Sequence, residues 1–511
     1  LFYSILSAFI ILFYQLNNTW VGIHENDQVS GCDSFGYARQ AELFRKSRNF
    51  SSALDTSIKT ELQSILNEWG RNSNLKYKNW SQMIAPHAHY FRDDSQKVIL
   101  QYPPGTGWLL SFFPENKARK ILWIISFAGI SSLFLARINL LENPLTNIFL
   151  GLSCLGSLYI TNTFSTRSDS IAPSCLIAVL ISSLTVRSIN FLNNNKKFPL
   201  IEVLLISLIF GFSLSIRPGN ILFLVAPLTI YLLALKSRVK YILRSSFFSL
   251  FLFCFSTYPL LQANKINTGS FFSSTYSSID TTFDFSSLLV NLSLINESFD
   301  DSVRVILVLL FSIFFSFRAW TNKEIGPFFI SRIILICLSW IFMVLMIFLM
   351  SIKPVFNLYY LAPQLVMTIS ISSMSILISQ SCLDRSFYSI DKFRILVLIF
   401  SILTFVFGYI LIQPSFNEPF PSAKEFSGKS IVWADSVGSK LLYYHKINTA
   451  KLHFGSKKAQ EEIIKYLSKN NVDQFVLDEA NQVSNFKNVS SGSLREFSKY
   501  DSFNILKFIP D

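Results

Sequence analysis

Long apolar runs alternate with short polar stretches along most of the chain, and one much longer polar stretch interrupts them near the start. A helix that crosses a membrane needs roughly 20 mostly apolar residues. About eleven runs approach that length, so the pattern predicts a mainly α-helical, multi-span membrane protein with about 11 transmembrane helices. The runs lie near 1–15, 118–137, 145–163, 171–186, 199–216, 220–235, 245–263, 303–317, 328–351, 357–380 and 395–413.

The residues after position 413 have a different pattern. Ile463 and Leu467 lie at helical spacing, which predicts a helix from Ser456 to Asn470. Short apolar or alternating stretches predict strands at 430–434, 472–477 and 503–509. The chain therefore divides into a transmembrane domain, 1–413, which includes a long first extracytoplasmic loop, 16–117, and a small C-terminal α/β domain, 414–511.

Composition strengthens the membrane interpretation. Half of the residues are hydrophobic and only 15% are charged, whereas charged residues make up about a quarter of a typical soluble protein. The formal net charge of +13 suggests nucleic-acid binding, but many basic residues fall in short loops between the runs, so we expect no nucleic-acid partner. The six cysteines show neither a disulfide framework nor zinc-binding spacing.

The positions of the basic residues predict the orientation in the membrane. Cytoplasmic loops of membrane proteins carry an excess of Lys and Arg. If the first loop is extracytoplasmic, alternation places the basic loops 138–144, 187–198, 236–244, 318–327 and 381–394 in the cytoplasm. We therefore expect a cytoplasmic N-terminus and an extracytoplasmic C-terminal domain. The run 1–15 is short and has no basic segment before it, so a truncated first helix or a signal anchor is expected there.

The first loop carries the leading catalytic candidate, Asp33. Apolar positions from Ser34 to Arg48 approximate helical spacing, so Asp33 is the expected N-cap of that helix. An N-cap carboxylate accepts backbone N–H bonds, whereas a general base takes a proton from an acceptor hydroxyl. The two roles are compatible, and with Tyr37 one turn on we favour the base. The apolar segment from Trp108 to Phe113 predicts a short interfacial stretch before the second span.

Two other motifs in the first loop have less specific meanings. His87 and His89 are potential metal ligands, but an exposed or hydrogen-bonded pair is the more common arrangement of two loop histidines. The segment from Tyr102 to Gly105 contains two prolines and a glycine. It is either a plain turn before a helix or a rigid wall that positions the preceding loop.

Polar residues at the ends of later spans fall on the same predicted side as the first loop. Arg217 follows an apolar run directly, where an arginine is costly unless it is paired or reaches the interface. It contacts either lipid headgroups or the phosphate of a substrate, which a guanidinium matches well. Asp169 forms a local ion pair or faces the same cavity as Asp33. Lys353 and Tyr360 are also on this side.

Several motifs, taken in order, resemble the GT-C superfamily of membrane glycosyltransferases, in particular the bacterial relatives of protein O-mannosyltransferases and aminoarabinose transferases. The similar segments are Asp33 with Tyr37-Ala38-Arg39, Tyr102-Pro103-Pro104-Gly105, Ser168-Asp169-Ser170, Gly211 to Pro218, and Tyr359-Tyr360-Leu361-Ala362-Pro363. Ser34 stands where the family usually has a second acid, and Asn357 and Leu358 precede the last motif where the family has an Arg.

The resemblance implies inverting transfer of a sugar from a polyprenyl-phosphate donor to an extracytoplasmic acceptor, which is a glycan, a lipid or a protein. It implies Asp33 as the base and Arg217 as the leading phosphate partner, with Lys353 and Tyr360 as weaker candidates. It implies that Asp169 orients a substrate or a basic neighbour. Tyr37, Tyr102, His87 and His89 complete the expected substrate site. The family indicates no certain cofactor and allows a divalent metal.

Two other classes of function fit a multi-span chain. A transporter or flippase for lipid-linked sugars would place polar residues at mid-bilayer in broken helices, whereas here they gather at the predicted outer face. A non-catalytic membrane scaffold would need neither Asp33 nor Arg217.

Overall fold

The computed structural model describes residues 32–59, 68–69, 89–92, 97–115, 117–137, 144–165, 168–195, 198–234, 239–273, 361–375, 426, 429–434, 441–442, 447–450, 457–477, 483, 486–487, 490, 492–499 and 504–510. Chain contacts divide these residues into two compact units. The helical unit comprises those within 103–261 and 361–375, and the mixed unit those within 32–102, 262–273 and 426–510.

The helical unit contains most of the described helices. They are α3 (Pro104–Ser111), α4 (Ala118–Leu135), α5 (Pro144–Ser165), α6 (Ile171–Asn195), α7 (Leu200–Ile216), a 3₁₀ helix (Pro218–Leu224), α8 (Val225–Ala234), the first part of α9 (Val239–Thr268) and α10 (Ala362–Ser375). Three helices, at Ala118–Leu135, Ile171–Ile189 and Ser245–Thr268, are long and apolar enough to cross a membrane.

Helix α6 lies at the centre of the helical unit, packed against α4, α5, α7 and α10. Its buried face repeats small residues, Ser174, Ala178 and Ser182, at intervals of four. Small residues at this spacing allow helix backbones to approach closely. The approach is visible at Ser182, whose hydroxyl donates to the carbonyl of Ala178 at 2.7 Å and to that of Met367 on α10 at 3.3 Å.

Helix α9 has the opposite character. It presents large exposed apolar side chains, including Leu243, Phe247, Phe251 and Phe255, each more than 60% exposed. A helix can lie in hydrocarbon because its backbone polar groups are satisfied internally. Exposed apolar side chains on such a helix suit contact with lipid tails. Against α7 the packing is tight, because a Cβ at Gly211 would lie 2.6 Å from the carbonyl oxygen of Phe253.

The mixed unit begins with α1 (Cys32–Lys46) and α2 (Phe50–Leu54) and contains two sheets. In the first sheet, β1 (Ser57–Lys59) and β2 (His89–Arg92) pair antiparallel to the central β3 (Lys97–Leu100). The second has the order β5-β4-β6-β8-β7. Its elements are β4 (Ser430–Trp433), β5 (Thr449–Ala450), α11 (Lys457–Lys469), β6 (Asp473–Leu477), β7 (Gly492–Lys499) and β8 (Asn504–Pro510). Strand β4 runs parallel to β5 and β6, and β8 runs antiparallel to β6 and β7.

One hydrophobic core joins the first loop to the C-terminal residues within the mixed unit. Trp69 and Val98 from the loop belong to the same buried cluster as Ile431, Trp433 and Phe508. Burial of such large side chains is worth about 1.5–3 kcal/mol each. The loop and the C-terminal residues therefore depend on each other for a core.

The described elements agree with the sequence pattern in part. The chain is mostly helical with a small C-terminal sheet, as predicted, and the predicted strands at 430–434, 472–477 and 503–509 correspond to β4, β6 and β8. Predicted spans between 118 and 263, and that at 357–380, coincide with helices, although only three are long and apolar enough to span. The predicted spans at 1–15, 303–317, 328–351 and 395–413 lie outside the described residues.

Candidate active site

Asp33 lies in the first turn of α1 and is partly exposed. The helix begins at Cys32, two residues earlier than predicted, so Asp33 is a first-turn residue rather than the N-cap. The positive end of the helix dipole stabilises a carboxylate at this position. The hydroxyl of Tyr102 donates a hydrogen bond to Asp33 Oδ1 at 2.5 Å, which ties the aspartate to the segment that precedes α3.

Tyr102 is fixed on α1 by three further contacts. Its ring lies 4.8 Å from the ring of Tyr37, centroid to centroid. Its backbone carbonyl accepts a hydrogen bond from Gln40 Nε2 at 2.5 Å. Gly36 gives its ring room, because a Cβ there would lie 2.2 Å from Tyr102 Cδ2. Gly36, Tyr37 and Gln40 follow Asp33 by three, four and seven residues, so all four lie on one side of α1.

This arrangement suits a general base. A base must be held within hydrogen-bond reach of the proton it takes, and Tyr102 fixes one oxygen of Asp33. Each oxygen of an ionised carboxylate can accept more than one hydrogen bond, which is the capacity that a general base needs. The sequence-predicted residues Asp33, Tyr37 and Tyr102 are thus brought together in the mixed unit.

The structure describes one of the two histidines that were predicted to lie in the site. His89 is the first residue of β2, pairs with Leu100 and is 1% exposed. His87 lies outside the described residues. Within the described part of the chain, no three His, Cys, Asp or Glu residues gather in a way that could hold a metal ion.

Arg217 lies in the helical unit at the C-terminal end of α7. Its backbone turns to an extended conformation with φ −153° and ψ 120°, and its N–H still donates to the carbonyl of Ser213 at 2.9 Å. The side chain is 8% exposed, and Nη1 donates to Ser170 Oγ at 3.1 Å. Ser170 in turn lies 3.0 Å from Ser168, oxygen to oxygen. The turn that precedes α6 therefore holds the guanidinium of Arg217.

The segment that follows Tyr102 packs against the end of α7. A Cβ at Gly105 would lie 2.6 Å from the backbone carbon and oxygen of Ser215, so only glycine fits there. Next to it, Thr106 Oγ1 donates to the carbonyl of Ile216 at 3.3 Å. The Pro-Pro-Gly segment therefore starts a helix that is seated against the backbone directly before Arg217. The start of α3 is therefore held firmly by α7, and a role of this segment in positioning the preceding loop stays a prediction.

Asp169 forms an ion pair between helices. Nε of Arg119, in the first turn of α4, lies 2.8 Å from both carboxylate oxygens of Asp169. The two side chains are 14% and 7% exposed, so water screens the pair weakly. Arg119 is the kind of basic neighbour that Asp169 was expected to orient.

The predicted site residues therefore fall into two groups. Asp33 and Arg217 belong to different compact units, and their convergence on one cavity stays a prediction. Lys353 and Tyr360 lie outside the described residues.

Sequence reasoning missed the supporting residues Gly36, Gln40, Arg119 and Ser170. A glycine inside a helical pattern is the signal that points to Gly36, and Ser170 lies in the Ser168-Asp169-Ser170 motif, whereas no local signal marks the other two.

Comparison of the chain with protein-family models, with curated proteins and with solved structures finds no match.

Proposed function

We propose that this chain is an inverting glycosyltransferase of the membrane, which moves a sugar from a polyprenyl-phosphate-linked donor to an extracytoplasmic acceptor. The observation that carries the proposal is the Asp33 carboxylate, partly exposed and held at 2.5 Å by the hydroxyl of Tyr102. The three helices that are long and apolar enough to cross a membrane support a lipid-linked donor.

In the proposed reaction, Asp33 takes the proton of an acceptor hydroxyl. The acceptor oxygen forms a bond to the anomeric carbon of the sugar from the side opposite the phosphate, so the configuration inverts. The bond between that carbon and the phosphate oxygen breaks, and polyprenyl phosphate leaves with the electron pair. Tyr102 keeps the carboxylate oriented, and such orientation is worth several orders of magnitude in rate.

Arg217 is the proposed partner of the departing phosphate. Charge that develops on the phosphate oxygens is stabilised by a fixed cation in a site that excludes water. The burial of Arg217 and its bond to Ser170 support this role, because the guanidinium is already in place before the reaction. Asp169 orients Arg119 and stabilises the start of α4 beside this region.

The remaining proposed substrate contacts are Tyr37, His87, His89, Lys353 and Tyr360. A divalent metal is compatible with the proposal, and the acceptor is a glycan, a lipid or a protein. In the proposed topology the N-terminus is cytoplasmic, and the site and the C-terminal domain are extracytoplasmic, as the basic loops favour.

The decisive experiment measures sugar transfer from a polyprenyl-phosphate donor in membranes that carry Asp33→Asn. We expect a loss of roughly 10²–10⁴-fold, the usual contribution of a general base. Asp55→Asn is the matched control, because Asp55 lies in the same unit and accepts a hydrogen bond from the backbone N–H of Ser57 at 3.0 Å. Transfer at the wild-type rate by Asp33→Asn would refute the assignment of the base.

The same membranes separate the other two classes of function. Movement of labelled lipid-linked sugar across proteoliposomes without any transfer product would favour a flippase. An intact cellular phenotype after simultaneous replacement of Asp33 and Arg217 would favour a scaffold.

A further inference from the structure

An exposed glycine in the helical unit is bordered by two buried nitrogen-bearing side chains. Among the described residues, a Cβ at Gly219 would have two neighbouring atoms within 4 Å, Arg217 Nε and Gln364 Nε2, each at 4.0 Å. Gly219 itself is exposed, whereas Arg217 is 8% and Gln364 is 1% exposed. The space over Gly219 is therefore open to the outside and lined by a guanidinium and an amide.

Both side chains are held in place by the protein. Gln364, in the first turn of α10, donates from Nε2 to the carbonyl of Gly219 at 2.9 Å. A carboxamide nitrogen has two N–H groups, so this bond occupies one of them. Arg217 is anchored through Nη1 on Ser170. Donors fixed in advance bind a ligand at a lower entropy cost.

Nothing in the described residues requires a glycine at position 219. Among the described glycines, only Gly269 and Gly492 have a φ angle in the left-handed region. The backbone at Gly219 therefore accepts any residue. Contacts at 4.0 Å also leave room for a methyl group. Gly36 and Gly105 differ, because a Cβ at either would meet neighbouring atoms at 2.6 Å or less.

We propose that the space over Gly219 binds an anionic oxygen of a phosphate ester, with Arg217 supplying the charge and Gln364 a second, neutral N–H donor. Several nitrogen donors around one point favour an oxygen that only accepts hydrogen bonds. The positive charge of a guanidinium further favours an oxygen that carries a negative charge. The inference rests on the proposed function, in which this ester is the donor's polyprenyl phosphate. The headgroup of an anionic lipid has the same chemistry, and the experiment distinguishes the two sources.

The test measures binding of a labelled polyprenyl phosphate to the full-length protein in nanodiscs made of neutral lipid. Gly219→Ala adds a methyl group that fits the fold but occupies the space of the anion. Gln364→Met removes the N–H donor while it keeps a similar volume. We expect each variant to bind about tenfold more weakly, the effect of losing one good contact to a charged group. Gly156→Ala is the matched control, because no atom of the described residues lies within 4 Å of its Cβ position.

Wild-type affinity in Gly219→Ala, with its melting temperature unchanged, would overturn the inference even if Gln364→Met failed to fold. Weaker binding in both variants supports the phosphate site. A parallel titration with phosphatidylglycerol identifies the source, because an equal or larger loss for this lipid would assign the site to a headgroup. Failure of the proposed function looks different: the variants would lose polyprenyl-phosphate binding while the wild-type protein transferred no sugar.

Discussion

The contact between Gly36 and Tyr102 leads to a prediction in which activity and stability change by very different amounts. In Gly36→Ala, the new methyl carbon would stand 2.2 Å from Tyr102 Cδ2 and 2.3 Å from Cε2. The ring must retreat by ~1 Å to reach ordinary contact, which stretches the 2.5 Å bond to Asp33 toward the limit of about 3.5 Å.

The expected change in stability is modest because two effects oppose each other. Loss of a hydrogen bond to a charged group costs about 1.5–3 kcal/mol. Alanine in place of glycine inside a helix returns about 1 kcal/mol. We therefore expect Gly36→Ala to lower the free energy of unfolding by about 0.5–2 kcal/mol. Transfer activity should fall much further, about 10²-fold, because a displacement of ~1 Å misplaces the proposed base.

The assay combines thermal unfolding in detergent with sugar transfer on the same preparation. Gly156→Ala serves as the control, since its methyl group meets no atom within 4 Å in the part of the chain that the structure describes, and it should leave activity intact. It should also raise stability slightly, by about 0.4–1 kcal/mol. If Gly36→Ala melted with the wild type and kept its turnover, the packing of Tyr102 on α1 would not determine the position of Asp33.

Three further predictions concern single contacts. Asp169→Asn should destabilise the protein by about 3–5 kcal/mol, since it leaves Arg119 buried without its carboxylate, and combining it with Arg119→Met should recover part of the loss in thermal unfolding. Burial tends to raise the pKa of Glu42, but hydrogen bonds from its two basic neighbours on α1 outweigh it and lower that pKa below its ordinary 4.5. Glu42 therefore stabilises the fold above about pH 4.5 and less as pH falls through its lowered pKa, so melting curves of the wild type and Glu42→Gln should converge in acid. Gly211→Ala should weaken the packing of α7 on α9 by about 1–3 kcal/mol, seen as a lower melting temperature; an unchanged value would contradict the close approach.

The periodicity of the sequence predicts elements best where each element has one clear environment. Strands β4 and β6 are apolar and buried, and both were predicted. Strand β7 was not, because it is an exposed edge strand and a bulge between Glu496 and Ser498 breaks its two-residue repeat. In α6 the apolar run ends near 186, whereas the helix continues to Asn195, since hydropathy marks only the apolar part of a helix.

The candidate site shows what a one-dimensional pattern leaves out. Asp33 and Arg217 stand out because a carboxylate near a helix start and an arginine at the end of an apolar run are locally unusual. Apart from Gly36, a glycine inside a helical pattern, their supports are not locally unusual. Gly36 is required by Tyr102, and Gln364 reaches a carbonyl at Gly219, and each of these pairs is far apart in the chain. Such requirements appear only when distant segments are placed together.

The core shared by Trp69, Val98, Ile431 and Phe508 has a consequence for biogenesis. A ribosome makes the first two residues long before the last two, with the whole helical unit in between. The early segment therefore keeps its tryptophan uncovered until the later residues of this core have been made. Chaperones that shield apolar surface should accordingly bind nascent chains that stop at Gln413 and release chains that extend past Phe508.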